Sequence, residues 1–293
     1  MAQSSRTISG KPFRVEWMLL SPALAVYGII FLLPALLLVV ISFQVNAPEQ
    51  QLWERDFSLA NYERFFTDPY FLKVIGKTLV YCIVVVAATL VVGYLLAYYI
   101  YKAKSYAKTT LITLVLTPLF SGALLQSLGW YLLFARYGPI NAGLRALGWL
   151  DKPFNFLGTD GAVMIALVHA FLPFMVLSIL NSLRTIPANL SDAAASLGAG
   201  PWSTFLRVTL PLTKGGMIAG STLVIGLTIG SFATPGIVGQ GKIQLLAQII
   251  YQQAIQVFDW PFAAVISLML LAILGVISAL PVLLTRKSRG ALQ

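Results

Sequence analysis

The chain has 293 residues, 58% of them hydrophobic and only 10% charged, with a mean hydropathy of +0.83. Soluble domains carry about a quarter charged residues, so this composition excludes a water-facing globule, a disordered chain and a fibrous repeat. The net charge of +10 leaves two classes of surface to weigh, nucleic acid and anionic lipid, and the positions of the charges decide between them.

A helix needs about 20 apolar residues to cross the hydrocarbon core of a bilayer. Uncharged runs of that length predict an all-α integral membrane protein with six spans, read as one domain over 1–293, at about 17–43, 78–101, 109–135, 161–183, 215–232 and 260–285. The first run, Trp17–Phe43, is too long for a signal-peptide core and lacks a small-residue cleavage site, so it is expected to stay. An outer loop, Gln44–Lys77, follows, with a short interfacial helix expected around Tyr62-Glu63-Arg64-Phe65-Phe66. Thr78–Tyr101 holds Cys82, the single cysteine, so no intrachain disulfide forms. The third run, Thr109–Ala135, leads into a second outer loop, Arg136–Asp160, and the fourth, Gly161–Leu183, contains the only histidine, His169. In the fifth run the tail Pro235–Gly241 reads as loop, so the helix is expected to end near Phe232. The sixth is Trp260–Thr285. Such continuous runs exclude a β-barrel, whose strands alternate.

The charges between the spans set the topology. Arg6, Lys11, Arg14, Lys102, Lys104, Lys108, Arg184, Arg207, Lys214, Arg286, Lys287 and Arg289 fall on one side with both termini, accompanied there only by Glu16 and Asp192. The opposite side balances eight basic residues against eight acids. The whole net charge therefore lies on one face, close to span ends. The positive-inside rule makes that face cytoplasmic, apposed to anionic headgroups. Membrane lipid is the partner this implies, and no nucleic acid is needed.

Catalytic chemistry is not legible. His169 has no second histidine or cysteine partner for a metal or a nucleophile pair, and no charge lies inside a span for a proton relay. Neither a catalytic residue nor a metal site is expected. Gly236-Ile237-Val238-Gly239-Gln240-Gly241-Lys242-Ile243 follows the phosphate-cradling pattern until Ile243 stands where Ser or Thr would hold magnesium. It lies on the outer side, away from ATP. No cofactor is expected in this chain.

The segment 184–214 joins spans four and five with the punctuation of two short helices. Pro187 suits a first helical position, Gly198 a C-terminal stop, Pro201 a second start and Pro211 its end. The residues alone fit an amphipathic connector on the membrane surface, or part of an ATPase-independent secondary transporter or channel, as well as a docking knob. Asp192-Ala193-Ala194, three residues, Gly198, nine residues, then Val208-Thr209-Leu210-Pro211 resembles the EAA loop, Glu-Ala-Ala-x3-Gly-x9-Ile-x-Leu-Pro, of permease subunits of type I ATP-binding-cassette (ABC) importers. Asp192 replaces Glu and Val208 replaces Ile; the spacing is complete. Leu172-Pro173-Phe174-Met175-Val176, Asp259-Trp260-Pro261-Phe262 and Asn61-Tyr62 are similar to the spermidine/putrescine permease branch, which also takes in opine permeases. The matches run from about residue 20 to 285.

The resemblance implies the six-span ABC importer permease fold in the bacterial inner membrane. It implies a second permease subunit, two cytosolic ATPases holding ATP and magnesium, and an extracytoplasmic substrate-binding protein. Asp192, Ala193, Ala194, Gly198, Val208, Leu210 and Pro211 are then the ATPase-coupling residues. Polar and aromatic candidates for the solute path are Gln126, Trp130, His169, Asn181, Thr228 and Ser231, with Asp259 and Trp260 at the outer mouth. Gly216/Gly220 and Gly226/Gly230 have the small-xxx-small spacing of close helix contacts.

Overall fold

The computed structural model describes residues 13–46, 56–187 and 189–290; the side chains of 13–19, 191, 192, 195 and 280–290 lie outside that description. Among the described residues the fold is helical, and the one strand-like pairing is an isolated bridge between Gln44 and Phe57. Four helices are long and apolar enough to cross a membrane: α1 (Phe13–Ser42), α3 (Pro69–Lys102), α7 (Asp160–Arg184) and α14 (Trp260–Gly290). Two bent pairs bring the number to six.

The helix bounds differ from the sequence expectation where capping and breaking residues act. α2 (Ala60–Thr67) occupies the expected outer-loop helix. α3 begins nine residues before Thr78, because Pro69 presets the first turn and the Asp68 carboxylate accepts the Tyr70 N–H at 2.8 Å. The third span is not one rod. It divides into α4 (Ser105–Leu116), a tight turn over Thr117–Phe120 and α5 (Ala123–Phe134), and Ser105–Phe120 is bent by 103° against Ala123–Ala146. Pro118 lacks an N–H for the ladder and Gly122 sits at φ +61°, so the helix stops and restarts within the apolar run. α6 (Pro139–Ala146) lies in the second expected outer loop.

The loop after α7 folds as α8 (Asn189–Ser196), α9 (Pro201–Thr204), a wide π turn over Phe205–Thr209 and α10 (Leu210–Leu212). α11 (Lys214–Ile229) follows at a 59° bend. The expected loop after it is corrected: Ala233–Val238 forms α12, with Pro235 tolerated in the first turn and α12 packed on α5. α13 (Leu246–Tyr251) and a second π turn, Gln252–Gln256, precede α14.

The core is the bundle of α3, α7 and α11, where Val85, Ala97, Ile100, Leu167, Ile179, Leu180 and Val224 are fully buried. α11 reaches α7 through glycine. A Cβ on Gly216 would lie 2.6 Å from the Ser178 carbonyl oxygen, and one on Gly220 would lie 2.7 Å from Met175 Sδ. Gly226 and Gly230 make no comparable approach, with nearest atoms at 3.8 and 3.4 Å. α1 stands apart, in contact with α14 and with its apolar window unburied. Water would not tolerate that surface; a bilayer requires it. A second cluster of Phe65, Phe71 and Phe262 ties α2 to α3 and α14.

Candidate functional sites at the helix break and the inter-span loop

The break between α4 and α5 brings three of the sequence-selected residues together. Trp130 Nε1–H, which can only donate, points at His169 Nδ1 at 3.2 Å, and the Gln126 amide lies 3.1 Å from the same nitrogen. Nδ1 is thereby the acceptor, so the ring proton sits on Nε2 and the imidazole is neutral. The Trp130 ring stands edge-on to His169 at 5.4 Å between centroids. An open groove of about 440 Å³ runs past these three side chains and past Thr117 and Ser121. A neighbouring one of about 220 Å³ shares Gln126 and reaches Ser231 and Thr234. The lining offers hydroxyl, amide and imidazole groups and aromatic faces with no formal charge.

Other candidates are placed elsewhere. Thr228 is fully buried and donates its hydroxyl to the Val224 carbonyl at 2.7 Å. Asn181 is exposed near the C-terminal end of α7, three turns from His169. The buried Asp259 carboxylate meets Arg64 Nη1 at 3.3 Å and accepts the Phe262 N–H at 3.2 Å, so it caps α14 and closes an ion pair. Arg64 also lies 4.1 Å above the Phe262 ring. Trp260 is half exposed at the head of α14. Ser121, Thr117 and Thr234 were missed by sequence reasoning. The signal for Thr117 and Ser121 is Pro118 and Gly122, which interrupt an otherwise uncharged run; Thr234 on α12 has none. Gly236 of the phosphate-loop lookalike lies inside α12, and Ile243 is buried.

The loop between α7 and α11 forms a projecting knob. Gly198 has φ +82°, and the Ala199 N–H reaches back to the Ala194 carbonyl at 3.0 Å, the six-to-one bond that ends a helix at a left-handed residue. The chain reverses there, leaving Leu197 89% and Trp202 71% exposed on the knob. Ala193 is exposed and Ala194 half-buried on α8; Asp192 belongs to α8, with its side chain outside the described ones. Pro211 removes one N–H from the second helix, and the preceding turn widens so that the Leu210 N–H bonds the Phe205 carbonyl. Pro211 thus sits inside α10 instead of ending the helix, and the bend falls at Thr213. Leu210 packs on the core and Val208 is half-buried.

Residues 89–289, which carry this knob and the break beside His169, match the model of a family described as binding-protein-dependent transport system inner membrane component. The chain belongs to this family. It is 32% identical over 243 residues to the spermidine/putrescine transport system permease protein PotB of Escherichia coli (strain K12), covering 83% of this chain and 88% of that one. PotB of Haemophilus influenzae is 29% identical over 246 residues, with 84% and 85% covered. In fold, the chain is similar to a bacterial alginate ABC transporter solved with its alginate-bound periplasmic protein: TM-score 0.76, 18% identity, 94% of this chain and 96% of that one. The permease is thus a multi-pass inner-membrane subunit of an ABC importer that works with a binding protein, and the ATPase is a separate subunit.

Proposed function

We propose that this permease, with a second permease subunit, encloses the path by which a polyamine- or opine-like nitrogen-containing solute enters the cell, and that two cytosolic ATPases, carrying ATP and magnesium, drive it. Residues 1–293 act as one transmembrane domain with both termini cytoplasmic. Likeness to the PotB relatives supports the solute class. The Gln126–Trp130–His169 groove supports the path: the Gln126 amide oxygen and the indole face attract an ammonium group without the trapping charge of a buried carboxylate. Ser231 extends the path and Asp259 with Trp260 stands at its outer mouth. Asn181 continues the path, and Thr228, fully buried with its hydroxyl on the Val224 carbonyl, lies behind it.

The observation that carries the coupling half is the helix stop at Gly198, which ends the segment holding Asp192, Ala193 and Ala194 in a tight turn flanked by the bare apolar side chains of Leu197 and Trp202. Val208, Leu210 and Pro211 root that projection in the bundle. Asp192 is one of two acids on its side of the membrane. A carboxylate in the first turns of a helix gains about 0.3–1 kcal/mol from the dipole, whereas truncating one partner of a desolvated charge pair costs about 2–5 kcal/mol. The test is the reconstituted complex with its ATPases and binding protein. Asp192→Asn should lower copurified ATPase and labelled spermidine or putrescine uptake well beyond the dipole effect, and Asp192→Glu should retain both. Full ATPase attachment and uptake in Asp192→Asn would remove the charge pair. Uptake by this chain without any ATPase would overturn the coupling itself.

A further inference from the structure

The knob touches more than the two helices it connects. Trp202, largely bare on its surface, stacks on Phe205 with ring centroids 5.5 Å apart and planes at 22°. Phe205, at the start of the π turn, presents its ring edge-on to two tyrosines of α3: Tyr94 at 5.7 Å and Tyr98 at 5.2 Å. Tyr94 and Tyr98 are four residues apart, hence on one face of α3. A second tie lies eight residues along the loop. The buried Thr213 hydroxyl donates to the Leu210 carbonyl at 2.9 Å and so receives the Tyr94 hydroxyl, 3.1 Å away, at the point where α10 bends into α11. No polypeptide joins α3 to this loop directly. Packing therefore has to carry any displacement between them.

Given the coupling role proposed above, on which this rests, we infer that Phe205 is the positioning residue through which displacement of the Trp202-bearing knob reaches α3. α7 and α11 are attached to the knob by the chain and follow it regardless. α3 meets the loop itself through the Phe205 ring against Tyr94 and Tyr98 and through the Tyr94–Thr213 hydroxyl pair, in addition to its core packing on α7 and α11. Edge-to-face aromatic contacts are directional, and the interior around them is close-packed, so a push on Trp202 is passed on instead of absorbed. A leucine at 205 keeps most of the apolar volume and loses the flat face against Trp202 and the edges against the tyrosines.

The test uses the full transporter with spin labels on single cysteines at two exposed sites, Tyr99→Cys on α3 and Ala219→Cys on α11, read before and after adding ATP and magnesium. In the parent sequence both spectra should change. With Phe205→Leu the α11 label should respond as in the parent and the α3 response should fall markedly. Solute-stimulated ATP hydrolysis should fall about tenfold with the ATPases still attached, and Phe205→Tyr should restore both. An α3 response undiminished by Phe205→Leu overturns the inference, as does joint loss of both responses, which would make Phe205 a folding residue of the loop. Silence of both labels in the parent sequence would instead sink the coupling role and this inference with it.

Discussion

At the residue scale, Gly198 is the position where geometry and sequence pattern meet most tightly. Its φ of +82° is a left-handed conformation, and no atom lies within 4 Å of where a Cβ would be. A side chain there meets no clash and faces only the backbone penalty, about 1–2 kcal/mol for an ordinary L-residue and more for a β-branched one. Gly198→Asn should therefore keep most solute-stimulated ATP hydrolysis, and Gly198→Val should lose most of it, measured on the purified complex. Equal activity of the two would show that the left-handed turn is irrelevant to coupling. Asp259 is a contrasting case. It reads in the sequence as an outer cation contact, yet its carboxylate is occupied by Arg64 and by the first turn of α14. Asp259→Ala should cost about 0.5–2 kcal/mol as a lost helix cap, seen as faster hydrogen exchange across Ala60–Thr67 and the start of α14.

At the element scale, the approach of α11 to α7 depends on two glycines out of four with the same spacing. Gly220→Val would place carbon against Met175 and Ser178 and should destabilise the bundle by about 1–3 kcal/mol through overpacking. Gly226→Ala faces only Leu274 at 3.8 Å and should be neutral or slightly stabilising. Thermal unfolding of the two variants in the same detergent separates them; equal melting temperatures would mean that α11 is not seated on α7 through Gly220. The pattern could not tell the pairs apart, because small-xxx-small spacing marks a permitted close contact without saying which neighbour uses it. The break at Pro118 and Gly122 is the same kind of case. Hydropathy reads through it, since proline and glycine do not interrupt an apolar run, and only the turn itself brings Gln126 and Trp130 to His169.

For the whole molecule, the distribution of basic residues makes a directional statement. A cysteine replacing the exposed Lys104 should be labelled by a membrane-impermeant reagent only from the cytoplasm, and one replacing the exposed Asp151 only from outside. The reverse pattern would turn the knob away from the cytosol and end its assignment to an ATPase. Those two sites lie at the α3–α4 connection and in the α6–α7 connection respectively. The bare apolar length of α1 belongs to the same scale: α14 is its neighbour within the chain, and the apolar surface left uncovered calls for lipid or a second subunit.

Composition and run length alone determined that this is a helical membrane protein, because a hydrocarbon solvent leaves long apolar helices as the solution for such runs. Gly198 and Pro201 determined that the loop holds two short helices, because a left-handed stop and a proline start are set locally, whereas Pro211, read as an end, sits inside α10. Residue types picked out Gln126, Trp130 and His169, but not their convergence on one imidazole nitrogen. They could not separate these from Thr228, whose hydroxyl is occupied by its own helix. Nor did they reveal the Phe205 wedge against α3, more than a hundred positions away in the chain. Those features follow from which helix faces meet, and meeting is decided by tertiary packing: the glycine contact of α11 with α7, the kink at Gly122 and the turn widened ahead of Pro211. Local sequence permits each of these, and only the assembled bundle selects them.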